Sequence, residues 1–307
     1  MKLTLRAALA GIVLVVAGCA TAATPSVAPS VTAPSVGPSV ATPTPTPDAC
    51  AKPNLTLHTT GKLTIGTDNP AFGPWFGGTP PKGSTWQVSD PTSGQGLESA
   101  VAYAIARKLG FVKDEVVWVA VPFNNVIQPG PKAFDFDVNQ VSYSAERAQA
   151  VDMSDGYFDD NQAVVAFKIA PIASAKSVAD LKAYRLGAQV GTTSYKYITD
   201  NIAPTAQPRV YNTNDAAIKG LQAKQIDGIV VDLGTAFYMR DAQLTGGTIV
   251  GSLPTVGEQE HFSAVLNKGS PLTACVNTAI GGLKADGTLD AIRKQWIESQ
   301  GSVPVLQ

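Results

Sequence analysis

From residue 60 onward, short runs that are apolar or alternate apolar with polar give way to longer stretches in which apolar positions recur every three or four residues. Residues 62–67 form one such run, closing on Asp68, and predict a strand. Leu97, Val101, Ile105 and Leu109 share one face of a helix predicted over 96–109, with Gly110 placed to stop it. Runs at 116–121, 136–143 and 162–167 predict three more strands. A strand at 186–190 leads into Gly191, Thr192, Thr193 and Ser194, and then into a helix through Ile198. Residues 216–223 predict a helix, after which Asp227 and Gly228 turn into a buried strand at 229–231 that ends at Asp232. Strands alternating with helices indicate an α/β architecture, in which ligands gather at the carboxyl ends of strands.

The first part of the chain has a different pattern. Lys2 and Arg6 precede an apolar run at 7–17 that is short for a membrane span, and the run ends in Val16, Ala17, Gly18 and Cys19. This resembles a bacterial lipoprotein signal, which implies removal of residues 1–18 and acylation of Cys19; an uncleaved anchor is the other reading. Residues 20–47 are nearly all Ala, Thr, Ser, Pro and Val, with no charge before Asp48, so they hold nothing from which to build a core. Frequent prolines favour an extended tether, and 19–53 is expected to be a linker.

The rest of the chain, about 255 residues, is more than one core usually organises and suggests two lobes. A net charge of −1 with 15% charged residues argues against nucleic acid as a partner. If Cys19 is lipidated, Cys50 and Cys275 remain as an even pair, suited to a disulfide in an oxidising exterior or to two buried thiols. His58 and His261 have no ligand-like spacing with either cysteine, so no metal site is expected.

Residues 141–157 carry the most chemistry. Arg147 comes after an apolar stretch ending in hydroxyls, and its planar, permanently charged fork matches a carboxylate. Ser142 adds a hydroxyl beside it. Thr192 and Thr193, at the start of a helix, suit either an anion or a plain N-cap. Asp232 suits an ammonium or the cap of a helix over 233–239. Asp68, Asn139, Gln140 and Gln189 are polar groups at strand ends. Phe72, Trp75 and Phe123 are pocket walls or core.

Taken in order, Gly66-Thr67-Asp68, Gly96-Leu97-Glu98, the run from Val141 to Arg147, the run from Asp152 to Tyr157, Gly191 to Ser194, and Asp227 to Asp232 resemble the family 3 extracellular solute-binding proteins of amino-acid ABC transporters. The resemblance covers about residues 60–300. It implies a two-lobed type II periplasmic-binding fold with two crossover hinge strands: lobe 1 at 54–161 plus 262–307, lobe 2 at 166–257, and hinges at 162–165 and 258–261. It also implies an amino acid held by Arg147 and Asp232, and a permease as the partner. A monomer, lipid-anchored at the outer face of a bacterial membrane and needing no cofactor, is expected. Two departures stand out: many relatives carry glycine where this chain has Gln140 and Thr193. The loop at 77–95 is longer than usual and is either an entrance cover or a surface excursion. With no Ser–His–Asp order and no thiol paired to a histidine, no catalytic residue is assigned. The other classes weighed are a dehydratase-like enzyme on the same fold and an amino-acid sensor.

Overall fold

A computed structural model describes residues 48–307; the expected signal, Cys19 and most of the expected linker lie outside the described residues. The first sheet is built from β1 (Leu63–Thr67), β2 (Val116–Ala120), β3 (Phe136–Asp137), β4 (Asp152–Asp159) and β10 (His261–Leu266), in the order β2-β1-β3-β10-β4. The second holds β5 (Gln162–Phe167), β6 (Leu186–Gln189), β7 (Arg209–Tyr211), β8 (Gly228–Asp232) and β9 (Gly247–Ser252), in the order β7-β6-β8-β5-β9. Both sheets are mixed. β1 runs parallel to β2 and β3, and β6 parallel to β7 and β8, while the strands that enter or leave by the crossovers run antiparallel to their neighbours.

The helices are α1 (Leu97–Lys108), α2 (Phe123–Val126), α3 (Arg147–Ala150), α4 (Thr193–Tyr197), α5 (Asn214–Gln222), α6 (Leu233–Tyr238), α7 (Leu272–Ala285) and α8 (Thr288–Trp296). The apolar face read along α1 is buried: Leu97, Val101, Ile105 and Leu109 join Val276, Ile280 and Leu283 of α7 in the main core of lobe 1. Gly96 precedes α1 as its N-cap residue; its φ of +91° suits glycine, and a Cβ there would sit 2.4 Å from the Trp75 carbonyl oxygen. In lobe 2 the β-branched runs of β5 and β8 feed two apolar layers, one on each face of the sheet.

Two segments cross between the lobes. β4 passes through Asp160 and Asn161 into β5, and β9 returns through 253–260 to β10. The Asp160 amide donates to the Glu260 carbonyl at 3.0 Å, so the crossings are tied to each other. Cys50 and Cys275 form a disulfide that closes 225 residues of sequence and fastens the start of the folded body to α7.

The structure departs from expectation in four places. The first hinge, expected at 162–165, lies at Asp160 and Asn161, because Gln162 to Val165 already pair with β8 and β9 in the second sheet. A strand expected over 136–143 stops at Asp137, because the chain bends through Gln140 in the left-handed region, at φ +48°. Residues 50–57, partly expected as linker, pack on lobe 1 through Cys50, Leu55 and Leu57. The C-terminal tail, expected in lobe 1, lies on lobe 2. Val305 bridges Ser252, and Leu306 is buried among Leu181, Val250 and Leu253, because β9 and its neighbours leave an apolar edge that the tail covers.

Candidate functional site

The carboxyl ends of β1, β3, β6 and β8 open onto one cavity of about 190 Å³ between the lobes. All twelve residues singled out in the sequence line it: Asp68, Phe72, Trp75, Phe123, Asn139, Gln140, Ser142 and Arg147 from lobe 1, and Gln189, Thr192, Thr193 and Asp232 from lobe 2. Strand ends and the loops and short helices that follow them hold them there, which is where an α/β sheet leaves backbone and side chains free to face a ligand.

Arg147 opens α3 and is 9% exposed. Its Nη1 donates to the Ser142 carbonyl, and its Nη2 donates across the cleft to the Gly191 carbonyl at 2.7 Å. The guanidinium lies 5.7 Å from the Phe123 ring centroid. Burial pulls its pKa below the usual value, opposed by the negative charges of Glu260 and Glu146. A guanidinium has five N–H donors, so the two carbonyls leave capacity for a carboxylate. Nearby, the hydroxyls of Ser142 and Thr193 lie 3.3 Å apart, and Thr193 donates to Glu260 at 2.6 Å. The Thr192 hydroxyl caps α4: it accepts from the Tyr195 amide at 3.1 Å and donates to the Gln189 carbonyl at 2.7 Å. Its capping role and its place on the wall coexist.

The same holds for Asp232. It caps α6 by accepting from the Thr235 amide at 2.7 Å, and it also lines the cavity. Burial lifts its pKa to about 6; the bonds from Thr235 oppose that rise, and Glu260 adds to it. Asp68 accepts from the Asn69 amide at 2.8 Å and is likewise raised by burial. The Gln189 side-chain oxygen accepts from the Asn214 amide at 3.0 Å, which leaves its NH₂ group for a ligand.

Of the aromatics, Trp75 is mostly core. It is 1% exposed and packs edge-on against Phe158 and Phe262, at 5.6 and 5.3 Å between ring centroids. Phe72 meets Tyr238 of lobe 2 at 5.5 Å. The 77–95 loop supplies no cavity wall. It buttresses one instead: Asn69, which lines the cavity, donates to the Thr85 carbonyl and accepts from the Gln87 amide, at 2.9 and 3.0 Å.

Sequence reasoning missed several lining groups. Asp215, in the first turn of α5, accepts from Gln243 at 3.0 Å, and both border the cavity with Asn214 and Tyr238. None of these carries a local signal, because an acid in a first helical turn is common. Glu98, noted only as part of a motif, is fully buried beneath the cleft floor. It accepts from the Gln140 amide at 2.6 Å, from the Gln140 side-chain NH₂ and from the Tyr157 hydroxyl at 2.5 Å. Burial drives its pKa up to about 7 against the pull of those three donors.

Two α/β lobes, two crossings and a cleft at the strand ends define the type II periplasmic-binding fold. Residues 79–299 match the Bacterial extracellular solute-binding proteins, family 3, and the chain belongs to that family. It is similar to the L-cystine-binding protein TcyJ of Escherichia coli (strain K12), at 29% identity over 54% of this chain and 60% of that one. The chain thus matches less than two thirds of that relative's length. An ancestral arginine-binding protein bound to glutamine has the same fold, with a TM-score of 0.61 and 30% identity across 78% of this chain and 99% of that one. So does the ancestral amino acid-binding protein AncCDT-1, a precursor of cyclohexadienyl dehydratase, with a TM-score of 0.60 and 25% identity across 77% and 95% of the two chains.

Proposed function

We propose that this protein captures a polar amino acid between its lobes and delivers it to an ABC-transporter permease, working at the outer face of the membrane from a lipid anchor at Cys19. The observation that carries the binding role is the placement of Arg147 and Asp232 on opposite walls of one cavity. A zwitterion presents a carboxylate to the first and an ammonium to the second. A ligand touching both lobes favours the closed arrangement, and moving the balance from 1:99 to 99:1 takes about 5.5 kcal/mol of preference. Two charge-assisted contacts of about 1.5–3 kcal/mol each are of that order.

The distal chemistry leans away from acidic side chains. The charged residues lining the cavity are Arg147 and three carboxylates, Asp68, Asp215 and Asp232. With Arg147 and Asp232 matched to the ligand's backbone groups, Asp68 and Asp215 favour a neutral or cationic side chain. The names of the cystine- and arginine-binding relatives support an amino-acid ligand. A thermal-shift screen against the twenty amino acids tests this reading. Stabilisation by one or a few polar ones is expected, and a flat response across the set would refute it. Anchoring is checked by mass spectrometry of the mature N-terminus, where unmodified Cys19 would remove that part of the proposal.

A further inference from the structure

Gln140 occupies a position where a small residue would leave the cleft floor bare. Its backbone is in the left-handed region at φ +48°, and it lines the cavity. One carboxylate, that of Glu98, grips it twice: Oε1 accepts the backbone N–H at 2.6 Å and Oε2 accepts the side-chain NH₂. When ionised, Glu98 accepts and does not donate, so above its raised pKa the amide nitrogen must face it, and the amide oxygen is the end turned away. Among the described residues, no protein donor reaches that oxygen. Across the cleft stands Asp232, close enough for its charge to act on Glu98.

We infer that Glu98 is a positioning residue that turns the Gln140 amide oxygen into the cleft, where it joins Asp232 in accepting the ammonium of the bound amino acid. An ammonium carries three donors and is satisfied by acceptors from both lobes, so this pair makes ammonium recognition depend on closure. This rests on the proposed amino-acid binding and goes a step further, to the element that reads the ligand's nitrogen. The groups facing Glu98 are Gln140, Tyr157 on β4, Asp137 on β3 and Asp232 on β8. None of these four is a cation, and Lys132 acts on Asp137 without bonding Glu98, so a ligand ammonium would add positive charge beside Glu98. Loading the site then favours the ionised carboxylates and releases protons near neutral pH.

The test is calorimetric titration of L-arginine, L-glutamine and L-cystine into wild type, Glu98→Gln, Gln140→Met and the double variant, at pH 6 and pH 8. A glutamine at 98 lets the Gln140 amide turn over and present its NH₂ group to the ligand. Glu98→Gln is expected to weaken binding at least tenfold at pH 8 and to reduce the gain in affinity between pH 6 and pH 8. In the Gln140→Met background the same change should cost less than threefold. Wild-type affinity in Glu98→Gln, or an equal loss in both backgrounds, overturns the inference. If Glu98→Gln does not fold, Gln140→Met decides alone: it is expected to bind at least fivefold more weakly than wild type, and unchanged affinity overturns the assignment. Absence of binding by wild type to all three ligands and to the wider panel would count against the proposed function itself, a separate outcome.

Discussion

The indole of Trp75 reaches from lobe 1 to lobe 2, donating its Nε1–H to Thr235 Oγ1 at 3.0 Å while its ring edge lies against Gly234. A Cβ on Gly234 would sit 2.3 Å from Trp75 Cζ2, far inside contact distance. Trp75 cannot yield, because Phe158 and Phe262 hold it from behind. Gly234→Ala should therefore hold the lobes apart while leaving each lobe folded, since alanine at the start of α6 is favourable for a helix. Amino-acid affinity should fall at least about tenfold, equivalent to about 1.4 kcal/mol. Small-angle scattering with saturating ligand should keep the radius of gyration of the unliganded protein. Wild-type compaction would show that this contact is not needed for closure.

Arg147 makes a sharper prediction. Its fork already bridges Ser142 and Gly191, so Arg147→Ala removes both a lobe-to-lobe bond and the proposed carboxylate partner. Titration should detect no amino-acid binding, while circular dichroism stays native. Arg147→Lys keeps the charge but loses the planar fork, and should bind at least tenfold more weakly than wild type. Undiminished affinity in the alanine variant would exclude Arg147 from ligand binding.

Much of this site was legible because strand ends are marked in the sequence. Asp68 and Asp232 each come after an apolar run, and Gly191 to Ser194 after another, so sheet topology brings them together. Asp215, Gln243 and Tyr238 escaped because their helices approach the cleft by tertiary packing, which no local spacing records. Gln140 misled in another way. Its neighbours alternate like a strand, but the left-handed turn there depends on Glu98, forty-two residues earlier. The tail was misassigned because α8 belongs to lobe 1, and only the packing of Leu306 shows that the chain then changes lobes.

Acidity should act on stability in an unusual direction. Glu98 is pushed up to about 7 and Asp232 to about 6, both mainly by burial, and Asp137 and Asp160 are raised for the same reason. The unfolded chain would titrate these groups near the ordinary 4.5 and 3.8. Between those values the native state holds more protons than the unfolded one. Their favourable contribution is thus full below the unfolded values and is lost as pH rises through 6 and 7. The unliganded protein should lose thermal stability from pH 5.5 to pH 8, and the stabilisation given by a bound amino acid should grow over the same range. Scanning calorimetry across that range checks both, and a rising midpoint for the unliganded protein would contradict the assignment.

The disulfide should matter more for stability than for binding. It closes 225 residues, Cys275 is 4% exposed on α7, and neither cysteine lines the cavity. The loop-entropy relation gives about 5 kcal/mol as an upper bound for so long a closure. Replacing both cysteines by serine should lower the denaturation midpoint and leave amino-acid affinity within about twofold, or about 0.4 kcal/mol. A large affinity loss would mean that the N-terminal strap reaches the site.

The tail makes the last prediction. After α8 the chain leaves lobe 1; the Leu306 amide donates to the Ser252 carbonyl at 2.9 Å, and the Gln307 amide to the Lys176 carbonyl at 3.0 Å. The Leu306 side chain is 2% exposed within the lobe 2 core. Truncating a buried leucine to alanine typically costs about 2–5 kcal/mol, through lost transfer energy and the cavity left behind. Leu306→Ala should therefore loosen lobe 2 alone. Hydrogen exchange should quicken in β9 and around residues 171–178, while β1 and α1 stay protected. Equal loosening of both lobes would show that they unfold as one cooperative unit, and no change in either would show that the tail carries no part of the stability of lobe 2.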